Sequence, residues 1–143
     1  MSRLPIHFFS EEIPFTLKQK LLVRNWINQT ILSEGFKLGE LSFIFSDDEY
    51  LLNINKEYLD HDTYTDIITF DNSDAEKIII GDIFISIDRI RENSKKFNVD
   101  ERDELHRVMI HGTLHLLGYQ DKGKEAKKVM TAKEDHYLLQ RGF

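Results

Sequence analysis

Apolar residues in this chain switch repeatedly between a helical period and a strand period, and that switching constrains the fold more than any other feature. Leu17, Leu21, Leu22, Trp26, Ile27 and Ile31 recur at helical spacing between Thr16 and Ser33, and Gly35 supplies a stop. Leu41, Phe43 and Phe45 then alternate with Ser42 and Ile44, the pattern of a strand with one wetter face. Leu4 to Phe9 reads as a short strand. Ser46, with Glu49 three residues on, predicts the cap of a helix running to about Tyr58. Thr65 to Phe70 and Lys77 to Ile87 are β-branched and aromatic runs separated by Asp71-Asn72-Ser73-Asp74, a hairpin-like arrangement. Asp88 is expected to cap a helix ending near Phe97, and Asp100 the next, which ends at Gly118. A last amphipathic helix is expected from Lys124 to Leu139. Strands and helices are mixed without strict βαβ alternation, so the expectation is an α+β domain, a small mixed sheet packed by several helices.

Both prolines, Pro5 and Pro14, precede the first long helical segment, and no linker, repeat or low-complexity tract follows. The 143 residues therefore read as one unit spanning 1–143. Cysteine is absent, which excludes disulfides and thiolate metal sites. Any metal must be held by imidazole, carboxylate, amide or water. No apolar run approaches a membrane span and the start is too polar for a signal peptide, so the expectation is a cytoplasmic protein with no membrane partner. The net charge of −6 argues against coating nucleic acid by bulk attraction, though it leaves room for a local basic groove. Basic residues cluster at Lys122, Lys124, Lys127 and Lys128 and around Arg89, Arg91, Lys95 and Lys96; solvated helix faces are the plainer explanation.

The stretch His111-Gly-Thr-Leu-His115-Leu-Leu-Gly118-Tyr119-Gln120-Asp121 carries the chemistry. On a helix of ~3.6 residues per turn, residues four apart share a face, so His111 and His115 can aim two imidazoles at one point. Leu105, Val108, Met109, Gly112 and Leu116 form the adjoining apolar stripe, which leaves both histidines at its half-sheltered edge. Gly118 can end the helix and turn Asp121 back toward the same point. Two imidazoles and a carboxylate would hold an ion and leave a fourth position for water, the pattern of catalytic zinc. The histidine pair alone is weak, because such pairs arise by chance and pack as ordinary half-buried side chains. Gly112 also stands where a zinc protease carries its glutamate, so a metalloprotease would lack its general base and that class is discounted.

The whole string resembles the signature H-G-x-L-H-L-x-G-Y-D-H of the YbeY family of bacterial endoribonucleases. Asn55-Lys-Glu-Tyr58 followed by Thr65-Asp66-Ile67-Ile68-Thr69-Phe70 is similar to that family's N-x-x-Y-R…T-D-V-L-S-F segment, and Gly81-Asp82-Ile83-Phe84-Ile85-Ser86 to its G-D-I-x-I-S strand. The resemblance implies an α+β domain with a metal site at the end of a central helix. It also implies one zinc ion on His111, His115 and Asp121, and endoribonuclease action on single-stranded RNA in ribosomal RNA maturation and ribosome quality control. RNA, ribosomal in origin, is then the expected partner, with the ribosome or its small subunit as the expected assembly. Two positions depart from the pattern. Asp121 stands where the signature has histidine, which keeps a ligand but adds negative charge and suits harder ions as well. Leu59 stands where the family has an arginine able to fork onto phosphate.

Asp66 and Asp82 are expected to support the metal or its water, against plainer readings as a turn carboxylate and an edge position. Arg89, Lys122 and Lys124 are the expected RNA contacts. His7, His61, His106 and His136 lack a ligand-spaced companion and read as surface or structural residues; Tyr119 could stack a base, though packing is the plainer reading of a helix-end aromatic. A fourth protein ligand from His61 or His136 would favour a different class, a ribosome-associated assembly or binding protein with a structural metal. A metallohydrolase of a small phosphoester is a further alternative.

Overall fold

The computed structural model describes residues 4–60 and 63–143. Strand β1 (Ile6–Ser10) leads into helix α1 (Lys20–Ser33), β2 (Lys37–Ser46) into α2 (Asp48–Leu59), and β3 (Ile67–Asp71) into β4 (Ile78–Ser86). Three helices close the chain: α3 (Ile87–Lys96), α4 (Glu101–Leu116) and α5 (Lys124–Leu139). The sheet order is β1-β2-β4-β3, with β1, β2 and β4 parallel and β3 antiparallel to β4. The expected hairpin is thus the β3–β4 pair, in a mixed sheet of an α+β domain.

Side chains alternate across a strand, so one face of the sheet collects Leu41, Phe43 and Phe45 of β2 with Ile79, Ile83 and Ile85 of β4. Against this face pack Val23, Trp26, Ile27 and Ile31 of α1 and the apolar stripe of α4, including Leu105, Val108 and Met109. Burying each large aliphatic side chain contributes roughly 1.5–3 kcal/mol. Helix α2 lies on the other face, where Tyr50 stacks on Phe84 and Tyr58 meets Phe70 edge-on.

Three expected boundaries are corrected. Helix α1 begins at Lys20 rather than Thr16, because Gln19 adopts a left-handed conformation at φ 58°. Leu17 still reaches the core from the preceding irregular segment, while Leu21 and Leu22 face solvent. Ser46 is the last residue of β2, paired with Ser86, so the α2 cap falls to Asp47, whose carboxylate accepts from the Tyr50 N–H at 2.9 Å. Ser86 likewise displaces Asp88 as the α3 cap, accepting from the Arg89 N–H at 3.2 Å. Asp88 instead accepts from the backbone N–H of Asp48 at 3.0 Å, tying the start of α2 to α3.

Helix α4 can lie close to the sheet because Gly112 has no side chain. A Cβ there would sit 2.7 Å from Ile67 Cδ1 and 3.0 Å from Ile83 Cγ2. Gly112→Ala is therefore expected to overpack the core and cost about 1–3 kcal/mol in urea unfolding. An unchanged midpoint would show that the sheet yields at no cost.

Candidate metal centre

His111 and His115 project from the last turns of α4, each about a quarter exposed, at the edge of the buried stripe. Gly118, at φ 102°, ends the helix in a conformation that L-residues seldom adopt. The chain then doubles back, with the Tyr119 N–H bonded to the Leu114 carbonyl at 3.0 Å. That turn delivers Asp121 to the two imidazoles. His111 Nε2 and His115 Nε2 lie 3.0 Å apart, and Asp121 Oδ2 lies 3.2 Å from each.

Hydrogen bonds on the far side of each ring fix which nitrogen is free. His111 Nδ1 lies 2.6 Å from Glu134 Oε2, and His115 Nδ1 lies 3.0 Å from the Tyr119 carbonyl oxygen. A carboxylate and a carbonyl only accept, so both Nδ1 atoms carry the proton in the neutral rings. Each Nε2 is then left with a bare lone pair, aimed at the other and at a carboxylate oxygen. These three atoms lie 3.0–3.2 Å apart, and a proton on His111 Nε2 or a cation between them relieves the repulsion of their lone pairs. His111 Nε2, His115 Nε2 and Asp121 Oδ2 are close enough together that they would hold a small divalent cation, and imidazole with carboxylate is a donor set that suits zinc. Among the described residues His111, His115 and Asp121 are the group that could hold a metal ion. Asp121, at 41% side-chain exposure, marks the side that faces solvent.

The His111 pKa reflects opposing causes. Burial pushes it down, but the hydrogen bond and charge of Glu134, with Asp121 and Asp66 behind them, outweigh burial and raise it. Asp66 shares a cavity of about 150 Å³ with His111, Glu104, Arg107 and Glu134. Burial pushes the Asp66 carboxyl above its usual range, and the charge of His111 opposes that rise. Glu104 is raised too, first by burial and then by the charge of Asp66.

The other expected site residues lie in varied settings. Asp82 is on β4 and accepts from Asn72 Nδ2 at 3.1 Å. Arg89 forks onto Asp48, with contacts of 3.0–3.2 Å, and pairs with Glu92 at 2.8 Å, so its charge is largely matched. Lys122 and Lys124 are exposed and follow Asp121 in the chain, Lys124 being the first residue of α5. Leu59 is the last residue of α2 and is 42% exposed. His136 meets Gln140 on the exposed side of α5, and His7 meets Glu40. His106 is buried, as a structural histidine should be, and His61 lies outside the described residues. Tyr119 packs against the core edge, its hydroxyl donating to Glu34 at 2.6 Å.

Glu134 was not expected. It sits 23 residues from His111, beyond any local spacing rule. A signal does exist, because the buried positions of α5 are Met130, Glu134 and Tyr137. A carboxylate on an apolar stripe must have a partner.

A sequence model of the family described as Endoribonuclease YbeY matches residues 6–142. A protein named Endoribonuclease YbeY from Cytophaga hutchinsonii is 49% identical over 143 residues, covering all of both chains. One of the same name from Flavobacterium psychrophilum is 49% identical over 91% of this chain and 92% of its own. The solution structure of a Thermotoga maritima protein matches with a TM-score of 0.66 at 25% identity, covering 95% of this chain and 88% of that one. With nearly every residue inside the family's pattern, the chain belongs to the YbeY endoribonuclease family.

Proposed function

We propose that the protein is a zinc-dependent endoribonuclease specific for single-stranded RNA. In this reading it acts in the cytoplasm in ribosomal RNA maturation and ribosome quality control, in contact with the small ribosomal subunit. The convergence of two imidazole nitrogens and a carboxylate on one solvent-facing point carries the reading. A bound zinc ion supplies Lewis acidity toward phosphate and water at that point. The chain's residues do the rest. His111, His115 and Asp121 would hold the ion, with Asp121 on the solvent-facing side. Lys122 and Lys124, exposed beside Asp121, place two cations where a phosphodiester backbone would pass. Asp66, beside His111, is the carboxyl best placed to support the centre, and Asp82 a more remote one. Arg89 can serve RNA only by giving up part of its hold on Asp48 and Glu92. The ribosomal role rests on the family resemblance.

A structural metal in an assembly protein would call for four protein ligands. Among the described residues three converge, and His136 is turned to Gln140. The exposure of Asp121 to solvent supports the enzyme.

The test is cleavage of a labelled single-stranded RNA by zinc-loaded protein, before and after chelation, in parallel with metal analysis. Cleavage should vanish on chelation and return with zinc. Binding should weaken with log[salt] at a slope of about −0.7 per phosphate contacted, and Lys122→Ala with Lys124→Ala should flatten that slope. Cleavage that survives chelation unchanged would defeat the reading.

A further inference from the structure

The two imidazoles are each held from behind, and both supports trace to neighbouring residues of α5. Glu134 Oε2 accepts from His111 Nδ1, and Arg107 Nη1 grips the other oxygen, Oε1, at 2.7 Å. With both oxygens engaged and only 7% of the residue exposed, the carboxylate cannot swing away. Arg107 does not depend on Glu134 for a partner, since its Nη2 already donates to Asp135 at 2.6 Å. His115 is held through a longer path. Its Nδ1 donates to the Tyr119 carbonyl, and the Tyr119 side chain is fixed at its hydroxyl by Glu34. Glu34 is fixed in turn by Lys133, at 3.1 Å, and by the Tyr137 hydroxyl. Lys133 also lies over the Tyr119 ring, 5.5 Å from its centroid.

We propose that α5 is the outer scaffold of the metal centre, with Glu134 the positioning residue of His111 and Lys133, through Glu34 and Tyr119, that of His115. The proposal rests on the reading that His111, His115 and Asp121 hold an ion. Helix α5 supplies no ligand itself. It sets the tautomer and aim of both rings, and the Glu134 charge makes His111 Nε2 a stronger donor. The coupling of α5 to ion binding therefore runs through these two hydrogen-bonded paths, not through its apolar packing on α4.

The experiment measures Zn2+ affinity of the whole chain by competition with a chromophoric chelator, and the visible absorption of the Co2+-loaded protein. Glu134→Gln keeps the side-chain volume but must present an NH2 group to either Arg107 or His111. It should weaken Zn2+ binding about 10–100-fold and alter the Co2+ spectrum. Lys133→Met should weaken binding by a smaller factor, since the Tyr119 carbonyl stays tethered by the main chain. Met130→Ala is the control, because it removes a buried contact of α5 without touching either support. At matched loss of stability it should leave affinity near the parent value. In the parent, the His111 Nδ1 proton should give an exchange-protected, strongly downfield NMR signal, a readout that holds even if Glu134→Gln does not fold. Parental affinity in Glu134→Gln, an equal loss in Met130→Ala, or no such proton signal would each overturn the proposal. A parent chain that binds no Zn2+ would instead fail the proposed function, and this scaffold with it.

Discussion

Replacing Asp121 with alanine is expected to remove most of the stabilisation that zinc confers on this protein. Its Oδ2 is the third corner of the donor triangle, 3.2 Å from each imidazole nitrogen. An ion that binds only the folded state stabilises it by RT ln(1 + [L]/Kd), about 2.7 kcal/mol at a hundredfold excess over Kd. In a chain of this size that is a rise in Tm of roughly 10 °C. If Asp121→Ala raises Kd about a hundredfold, the same zinc concentration adds only about 0.4 kcal/mol, close to no shift. His111→Ala and His115→Ala should behave alike, and RNA cleavage should fall with them. Asp121→His, which restores the family's usual residue, should retain the zinc shift, because imidazole is also a good zinc ligand. A full zinc shift in Asp121→Ala would show that the carboxylate is not a ligand and pass the third position to Asp66.

The histidine pair was legible because its geometry is local. Four residues on a helix fix the separation of two side chains whatever the rest of the chain does. The strands were legible for a similar reason, since alternation in β2 and the β-branched run in β4 leave few other conformations. Helix α5 was readable to its ends, with Gly123 and the turn before it supplying the start. Where neighbouring residues competed for one role, local rules chose wrongly. Ser46 and Asp47 could each cap α2, and strand pairing decided by holding Ser46 in the ladder opposite Ser86. Leu21 and Leu22 fit a helical period, yet the buried side of α1 turned out to be the Val23, Trp26, Ile27 and Ile31 stripe.

The support of the site was not legible, because it depends on how α5 packs. Glu134 reaches His111 and Glu34 reaches Tyr119 only once α1, α4 and α5 are assembled. Such contacts carry no fixed spacing. What the sequence does hold is a set of charges on faces that should be apolar. Glu104 and Glu134 sit at buried positions of α4 and α5, and both line the cavity behind His111. A buried carboxylate that persists on a helix stripe points to a partner on another element.

Acid should destabilise this protein through a histidine that is not part of the His111–His115–Asp121 group. His106 is 2% exposed, with Trp26 and Phe143 ring centroids 5.5 and 5.6 Å away. Arg141 Nη1 lies 2.8 Å from its Nδ1 and can only donate, so Nδ1 accepts and the ring is neutral. Burial, and then the charges of Arg141 and Arg102, push its pKa down from 6.5 to about 4, with Asp103 opposing. The unfolded chain therefore takes up a proton at higher pH than the folded one. Stability from this residue is fully present above pH 6.5 and is lost as pH falls toward 4. At about 1.4 kcal/mol per pH unit the loss reaches roughly 3 kcal/mol, a large share of the 5–15 kcal/mol typical of a domain. Asp66 and Glu104, whose pKa values are raised, contribute with the opposite sign, so the total profile does not isolate His106. Comparison with His106→Phe does, because phenylalanine fills the same aromatic slot and cannot protonate. Arg141 keeps Asp103 at 3.0 Å and the Leu138 carbonyl, so the variant leaves no stranded charge. Urea unfolding between pH 7 and 4 should show the parent losing about 3 kcal/mol more than the variant. Parallel profiles would mean that His106 gains its proton as readily in the folded protein as in the unfolded chain, and that its buried neutral state is wrong.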